Sequence, residues 1–210
     1  MAERPKASRL ELAATVLLAI AAVATAWSSY QANRWNGEQA KAASQTNAIR
    51  IDAARAQGQS QAETEVDVAT FIQWVDADAH DDDELADFYQ ERFREEFQPA
   101  FDAWLATDPF ENPDAPPTPF AIPEYRVQAA AEAADLDRLA EASAAKVREN
   151  IQRSANYVLA VVLFAVALFF AGISVKLADE RLRAVLLGVG YVVFVGAVAW
   201  IATFPVSFAV

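Results

Sequence analysis

The chain has 210 residues, 54% of them hydrophobic, with 29 acidic against 17 basic side chains for a net charge of −12. A surface this negative argues against nucleic acid as a partner, which needs basic residues to displace phosphate counterions, and against lying flat on anionic lipid. The absence of cysteine excludes disulfides, thiol catalysis and thiolate metal sites.

Three stretches carry no Asp, Glu, Lys or Arg: between Glu11 and Arg34, between Arg153 and Lys176, and from Ala184 to Val210. Each is long enough to cross a hydrocarbon core of ~30 Å as a helix, which takes roughly 20 apolar residues. Residues 31–153 hold 25 of the acidic and 11 of the basic side chains, a balance of −14, and the rest of the chain balances at +2. The pattern predicts an all-α protein: three transmembrane helices with a long antiparallel helical stalk and a small helical head inserted between spans one and two.

Residues 1–9 form a basic leader with Arg4, Lys6 and Arg9, and residues 10–30 the first span. Ala24-Thr25-Ala26 also fits a signal-peptide cleavage site. Aromatic and amphipathic residues follow at once, however, at Trp27, Tyr30, Arg34 and Trp35. That is how a helix leaves a bilayer, so the segment reads as an uncleaved anchor. Trp27, Tyr30, Arg34 and Trp35, with Tyr157 and Trp200 from the other spans, are expected to form an interfacial belt at the headgroup level. The alternative for the Trp27–Gly37 segment is a packed collar between subunits.

The acidic insert, residues 31–153, divides into stalk helices at 31–69 and 124–153, a head at 70–106 and a proline-rich loop at 107–123. In the first stalk helix Ala42, Thr46, Ile49, Ala53, Ala56, Ser60 and Glu63 recur at helical spacing, with pauses expected at Gly37 and Gly58. The second presents Leu136, Ala140, Ser143, Val147 and Ile151. These stripes are thin, so the stalk alone would be marginal and self-association is expected. The head collects Phe71, Ile72, Trp74, Val75, Leu85, Phe88, Tyr89, Phe93, Phe97, Phe101, Trp104 and Leu105 in a helical hairpin, with Pro99 as a kink or restart. Six prolines between Asp108 and Pro123 require an extended connection.

An oxygen-rich run opens the head: Asp76, Asp78, His80, Asp81, Asp82, Asp83, Glu84 and Asp87. Asp76, Asp78, His80 and Asp82 are its weak metal-ligand candidates. Counted as a calcium loop from Asp76, the run places Asp81 where a glycine turn is needed and Asp87 where the longer glutamate would chelate. Helix N-capping is the favoured reading.

Residues 154–175 and 184–205 form the second and third spans, joined by a basic turn at 176–183 with Lys176, Arg181 and Arg183. Turn and leader share a side in any three-span arrangement, which points to a cytoplasmic N-terminus and an extracytoplasmic insert at the plasma membrane. Ala22 and Ala26, Ala167 and Ala171, and Gly188 and Gly196 mark expected helix contacts. No ionisable residue lies mid-span, which argues against proton relays and coupled transport. No Gly-rich phosphate loop, His pair or nucleophile–base arrangement is found, and an enzyme or a cofactor is not expected.

With Trp27-Ser28-Ser29-Tyr30-Gln31-Ala32 just after its first span, the chain resembles poorly characterised prokaryotic three-pass proteins with an N-terminal span, a helical insert and a C-terminal two-span hairpin. That resemblance implies no activity. In layout alone the chain is also similar to proton-channel subunits of the ExbB/TolQ type. Those proteins keep their insert in the cytoplasm and line a pore with polar residues, against which this chain offers Thr203 and Tyr191. The expected function is a non-enzymatic homo-oligomeric scaffold or partner-docking assembly in the lipid bilayer, possible partners including an unidentified protein. The alternative is an oligomeric cation channel with an acidic vestibule. A sensor ectodomain is a third and less favoured reading.

Overall fold

The computed structural model describes residues 9–207. Among them the regular elements are all helical: α1 (Arg9–Ala79), α2 (Asp83–Gln90), α3 (Gln98–Leu105), a short 3-10 turn (Pro119–Ala121), α4 (Gln128–Lys176) and α5 (Glu180–Ile201). α1, α4 and α5 are each long and apolar enough to cross a membrane. The described residues divide into two compact units, one comprising residues 9–44 and 143–207, the other 45–142.

In the first unit three helices pack along seven-residue seams. On α1 the buried positions are Ala14, Leu17, Ala21, Ser28, Gln31, Ala32, Trp35 and Ala42; on α4 they are Ser154, Tyr157, Ala160, Phe164, Ala167, Ala171 and Ser174. Alternating steps of three and four keep one stripe of each helix on its neighbour. Between helices in lipid the attraction is close packing rather than water exclusion, so small side chains dominate the seam. Near one end Ala14, Leu17, Ala171 and Leu187 cluster; further along, Ala160, Phe164 and Ala197 do. A Cβ added at Gly190 would lie 3.4 Å from the Ala167 carbonyl, the Leu17 side chain and Phe170. Gly190 thus sits where α5 meets both α1 and α4. The Tyr191 hydroxyl donates to the Ala13 carbonyl at 3.1 Å, satisfying a polar group that lipid could not. α5 is opened by Asp179, whose carboxylate accepts from Arg181 N at 2.8 Å. Arg183 in turn donates to the Leu177 carbonyl.

Several contacts differ from the sequence expectation. Ala22 and Ala26 are exposed, because the α1 seam runs through Ala21 and Ser28, about 100° away on the wheel from residue 22. Gly188 and Gly196 also face outward, with nothing near them, and Gly190 takes the contact instead. Gly37 and Gly58 do not interrupt α1. Ile151 is exposed; Ser154 occupies the α4 seam in its place because its hydroxyl finds partners across the interface. The packing of α1 on α4 thus extends beyond the charge-free runs, and this unit takes in residues 31–44 and 143–153.

In the second unit, α1 buries Thr46, Ala53, Ala56, Ser60, Asp67, Phe71, Trp74 and Ala77, while α4, which begins at Gln128 rather than at 124, buries Ala129, Ala133 and Ala140. Beyond the alanine-lined helix pair lies a core of rings: Phe71, Trp74, Phe93, Phe97, Phe101 and Trp104. Most meet edge-on, as at Trp74–Phe101 (4.7 Å) and Phe93–Phe97 (4.9 Å), the geometry that ring quadrupoles favour. Phe97 stacks on Phe120 at 5.2 Å and Phe120 meets Tyr125 edge-on, which folds the proline-rich segment onto the head. Trp104 Nε1 donates to the Pro116 carbonyl at 2.8 Å and anchors the same segment. Pro99 sits in the first turn of α3, where its missing N–H costs nothing. The expected hairpin is therefore two eight-residue helices, α2 and α3, with a turn between. Asp81 follows α1 with φ of 54°, a left-handed conformation that Asp tolerates better than most residues and that reverses the chain into α2.

Candidate functional site

The richest polar constellation of the first unit surrounds the Trp27–Trp35 segment of α1. Two faces of one helix separate its side chains. Trp27 and Tyr30 point outward, 41% and 52% exposed, with ring centroids 5.9 Å apart. Ser28, Gln31, Ala32 and Trp35 point inward and are buried. The expected belt is thus divided: Trp27 and Tyr30 lie on the outer surface, Trp35 and Tyr157 inside the bundle, and Trp200 between these extremes.

Gln31 holds the segment that follows α5. The Ser207 N–H donates to Gln31 Oε1 at 3.0 Å, and Gln31 Nε2 donates back to the Ser207 carbonyl at 3.4 Å. The Tyr157 hydroxyl donates to the Pro205 carbonyl at 3.2 Å, and Phe204 packs edge-on against both Tyr157 and Trp200. Ser154 Oγ lies 3.0 Å from both the Ala32 carbonyl and Asn36 Oδ1. Arg153 reaches Glu149 and lays its guanidinium over the Trp35 ring, 4.6 Å from the centroid. Ser28 Oγ, Trp35 Nε1 and Arg34 Nε are covered and have no hydrogen-bond partner.

In the second unit the acidic run works as a helix opening. Asp82 Oδ1 accepts from Leu85 N at 3.2 Å and caps α2, with Asp83 and Glu84 in its first turn. His80 Nδ1 donates to the Asp76 carbonyl at 2.7 Å, with the Asp76 carboxylate at 3.7 Å, and both side chains are exposed. The Asp78 carbonyl accepts from Asp81 N in the turn after α1. Among the described residues, Asp76, Asp78, His80 and Asp82 do not converge with each other or with other acids into a group able to hold a metal ion.

Sequence reasoning missed the buried ion pair beneath the head. Asp67, fully buried on α1, receives Arg94 in a fork: Nε to Oδ1 at 2.9 Å and Nη2 to Oδ2 at 3.1 Å. Glu63 and Glu96 flank the same guanidinium at 3.3 and 3.5 Å. The Tyr125 hydroxyl donates to Asp67 Oδ2 at 3.1 Å, and Glu96 accepts from Gln128 N where α4 begins. The hydrogen bond to Asp67 leads the effects that hold the Arg94 guanidinium above its ordinary range. Burial, more than the neighbouring carboxylate, pushes the Tyr125 phenol up. The available signal was an arginine in an acidic stretch and an aspartate in phase with the buried face of α1.

A shallow depression of about 330 Å³ lies on the head, lined by Asp87, Gln90, Glu91, Gln98, Phe101 and Asp102. Its rim carries three carboxylates, Asp87, Glu91 and Asp102, over the buried Phe101 ring, which makes it a negative surface. Comparison with protein-family models, curated proteins and solved structures returned no match.

Proposed function

We propose that the chain is a non-enzymatic, multi-pass protein of the plasma membrane that self-associates and presents its acidic helical insert as a scaffold or a docking surface for a protein partner. The three apolar helices support membrane residence. The basic leader and turn support a cytoplasmic N-terminus, with residues 31–153 on the opposite side.

One observation carries the self-association. Within the acidic unit, Ile51, Val66 and Ile72 stand exposed on α1, turned away from the buried stripe of Ala53, Ala56, Ser60 and Asp67. Within one chain these three stay about half exposed, and they share that side of α1 with the exposed Arg55 and Glu65. A second copy laid along this side of α1 would take all three aliphatic side chains out of water.

Native mass spectrometry of the full chain in detergent tests this. A discrete oligomer that falls to monomer when Ile51, Val66 and Ile72 are all replaced by Asp supports the reading; a wild-type monomer overturns it. The alternative, a cation channel between subunits, is separated by planar-bilayer recording. Cation-selective current abolished by neutralising Asp87, Glu91 and Asp102 would favour the channel.

A further inference from the structure

We propose that Arg34, with Trp27 and Tyr30, binds the phosphate of one phospholipid headgroup. Arg34 lies four residues after Tyr30 and seven after Trp27, so the three side chains share one face of α1. That face is outward: both rings are exposed and lie against each other. Arg34 is also the first ionisable residue after the charge-free run that begins beyond Glu11. In a bilayer this is the level of the headgroup phosphates, where aromatic rings settle and cations reach for oxygen.

The state of the guanidinium argues for a specific ligand. In a chain of net charge −12 five arginines reach a carboxylate: Arg55, Arg92, Arg94, Arg138 and Arg153. Among the described residues nothing engages Arg34, and its Nε is covered by protein while lacking an acceptor. A covered, unpaired donor on a charged group is costly to leave unmade. A rotamer that turns the Nε–Nη2 edge towards a phosphodiester removes that cost, because two phosphate oxygens match the guanidinium fork. The Tyr30 hydroxyl supplies a further donor, and the Trp27 ring a flat cover for the glycerol and upper acyl chain. A snorkelling cation gains nothing from the fork, whereas a bidentate phosphate contact does. The site lies within a single chain, so its outcome is independent of subunit number.

The test is native mass spectrometry of the full-length protein in detergent, titrated with phosphatidylglycerol, for the wild type and for Arg34→Gln, Arg34→Lys and Arg50→Gln. Arg50 is an exposed cation on the same helix in the other unit. The expected result is one saturable lipid per chain, weakened roughly tenfold or more by Arg34→Gln, weakened less by Arg34→Lys, and unchanged by Arg50→Gln. Wild-type retention of the lipid by Arg34→Gln would overturn the site. Equal binding by wild type and Arg34→Lys would overturn the fork. Displacement of the lipid by millimolar inorganic phosphate would reassign the site to a soluble anion and overturn its assignment to lipid. Should Arg34→Gln not fold, Tyr30→Phe with Trp27→Leu provides a second route, and undiminished binding there would overturn the proposal equally.

Discussion

Gln31 and Ser207, 176 residues apart, are paired as neighbouring strands would be, the side-chain amide of one exchanging two hydrogen bonds with the backbone of the other. A carboxamide is the one uncharged side chain that can mimic a peptide group, donor and acceptor together. Buried in the first unit, it satisfies the N–H and the carbonyl of a residue that lies beyond the last helix.

Gln31→Leu keeps the volume and removes both bonds. Leaving the Ser207 N–H unserved costs about 1–3 kcal/mol, which should speed amide exchange at Ser207 by roughly ten- to a hundredfold. Hydrogen–deuterium exchange of the C-terminal peptide measures this directly.

The Asp67–Arg94 fork predicts a marked asymmetry between breaking and replacing. Arg94→Met leaves a fully buried carboxylate without its cation and should destabilise the head by about 3–5 kcal/mol. Replacing both partners, Asp67→Leu with Arg94→Met, should recover most of that loss, since an apolar pair carries no desolvation penalty. Near-UV circular dichroism of the full protein, dominated in this region by Phe71, Trp74, Phe101 and Trp104, follows the head as it melts.

How much was legible in the sequence follows from the range of the forces involved. The three spans are visible because an ionisable residue in hydrocarbon is so costly that its absence over twenty positions is informative. The head was visible because rings at helical spacing in polar text have nowhere else to go. Gly37 and Gly58 misled because the local cost of glycine in a helix, about 1 kcal/mol, is smaller than the packing on either side of it. Ile151 misled because hydrophobicity was allowed to choose the seam. Ser154 won that place once its hydroxyl had Ala32 and Asn36 to bond. Pairs such as Gln31–Ser207 and Asp67–Arg94 depend on the assembled fold, and neither partner alone signals the other.

Alkaline pH should loosen the head. The Tyr125 phenol titrates in the unfolded chain near its ordinary value of 10.0, and burial raises it in the folded state. Between those two values the folded chain binds more protons, so stability falls as pH rises. Arg94, also raised, acts in the same direction at still higher pH. The near-UV melting temperature should therefore decline from about pH 10 upward. Tyr125→Phe should flatten that decline while lowering stability at neutral pH by about 1 kcal/mol for the lost hydrogen bond. An unchanged slope would dissociate Tyr125 from the effect.

Gly190 and Gly188 stand two residues apart on α5 and should respond oppositely to a large side chain. A Cβ at Gly190 meets the Ala167 carbonyl, Leu17 and Phe170 at 3.4 Å, so Ala fits at the limit of ordinary contact and Leu does not. Gly190→Leu should push α5 off its neighbours, at a cost of about 1–3 kcal/mol or more from overpacking. Gly188 meets nothing within 4 Å, and within one chain Gly188→Leu should be neutral or slightly stabilising through its better helix propensity. Thermal aggregation of the detergent-solubilised variants separates the two. If Gly188→Leu instead splits an oligomer into stable monomers, the outward face of α5 is itself a subunit contact, because no neighbour in its own chain could account for the effect.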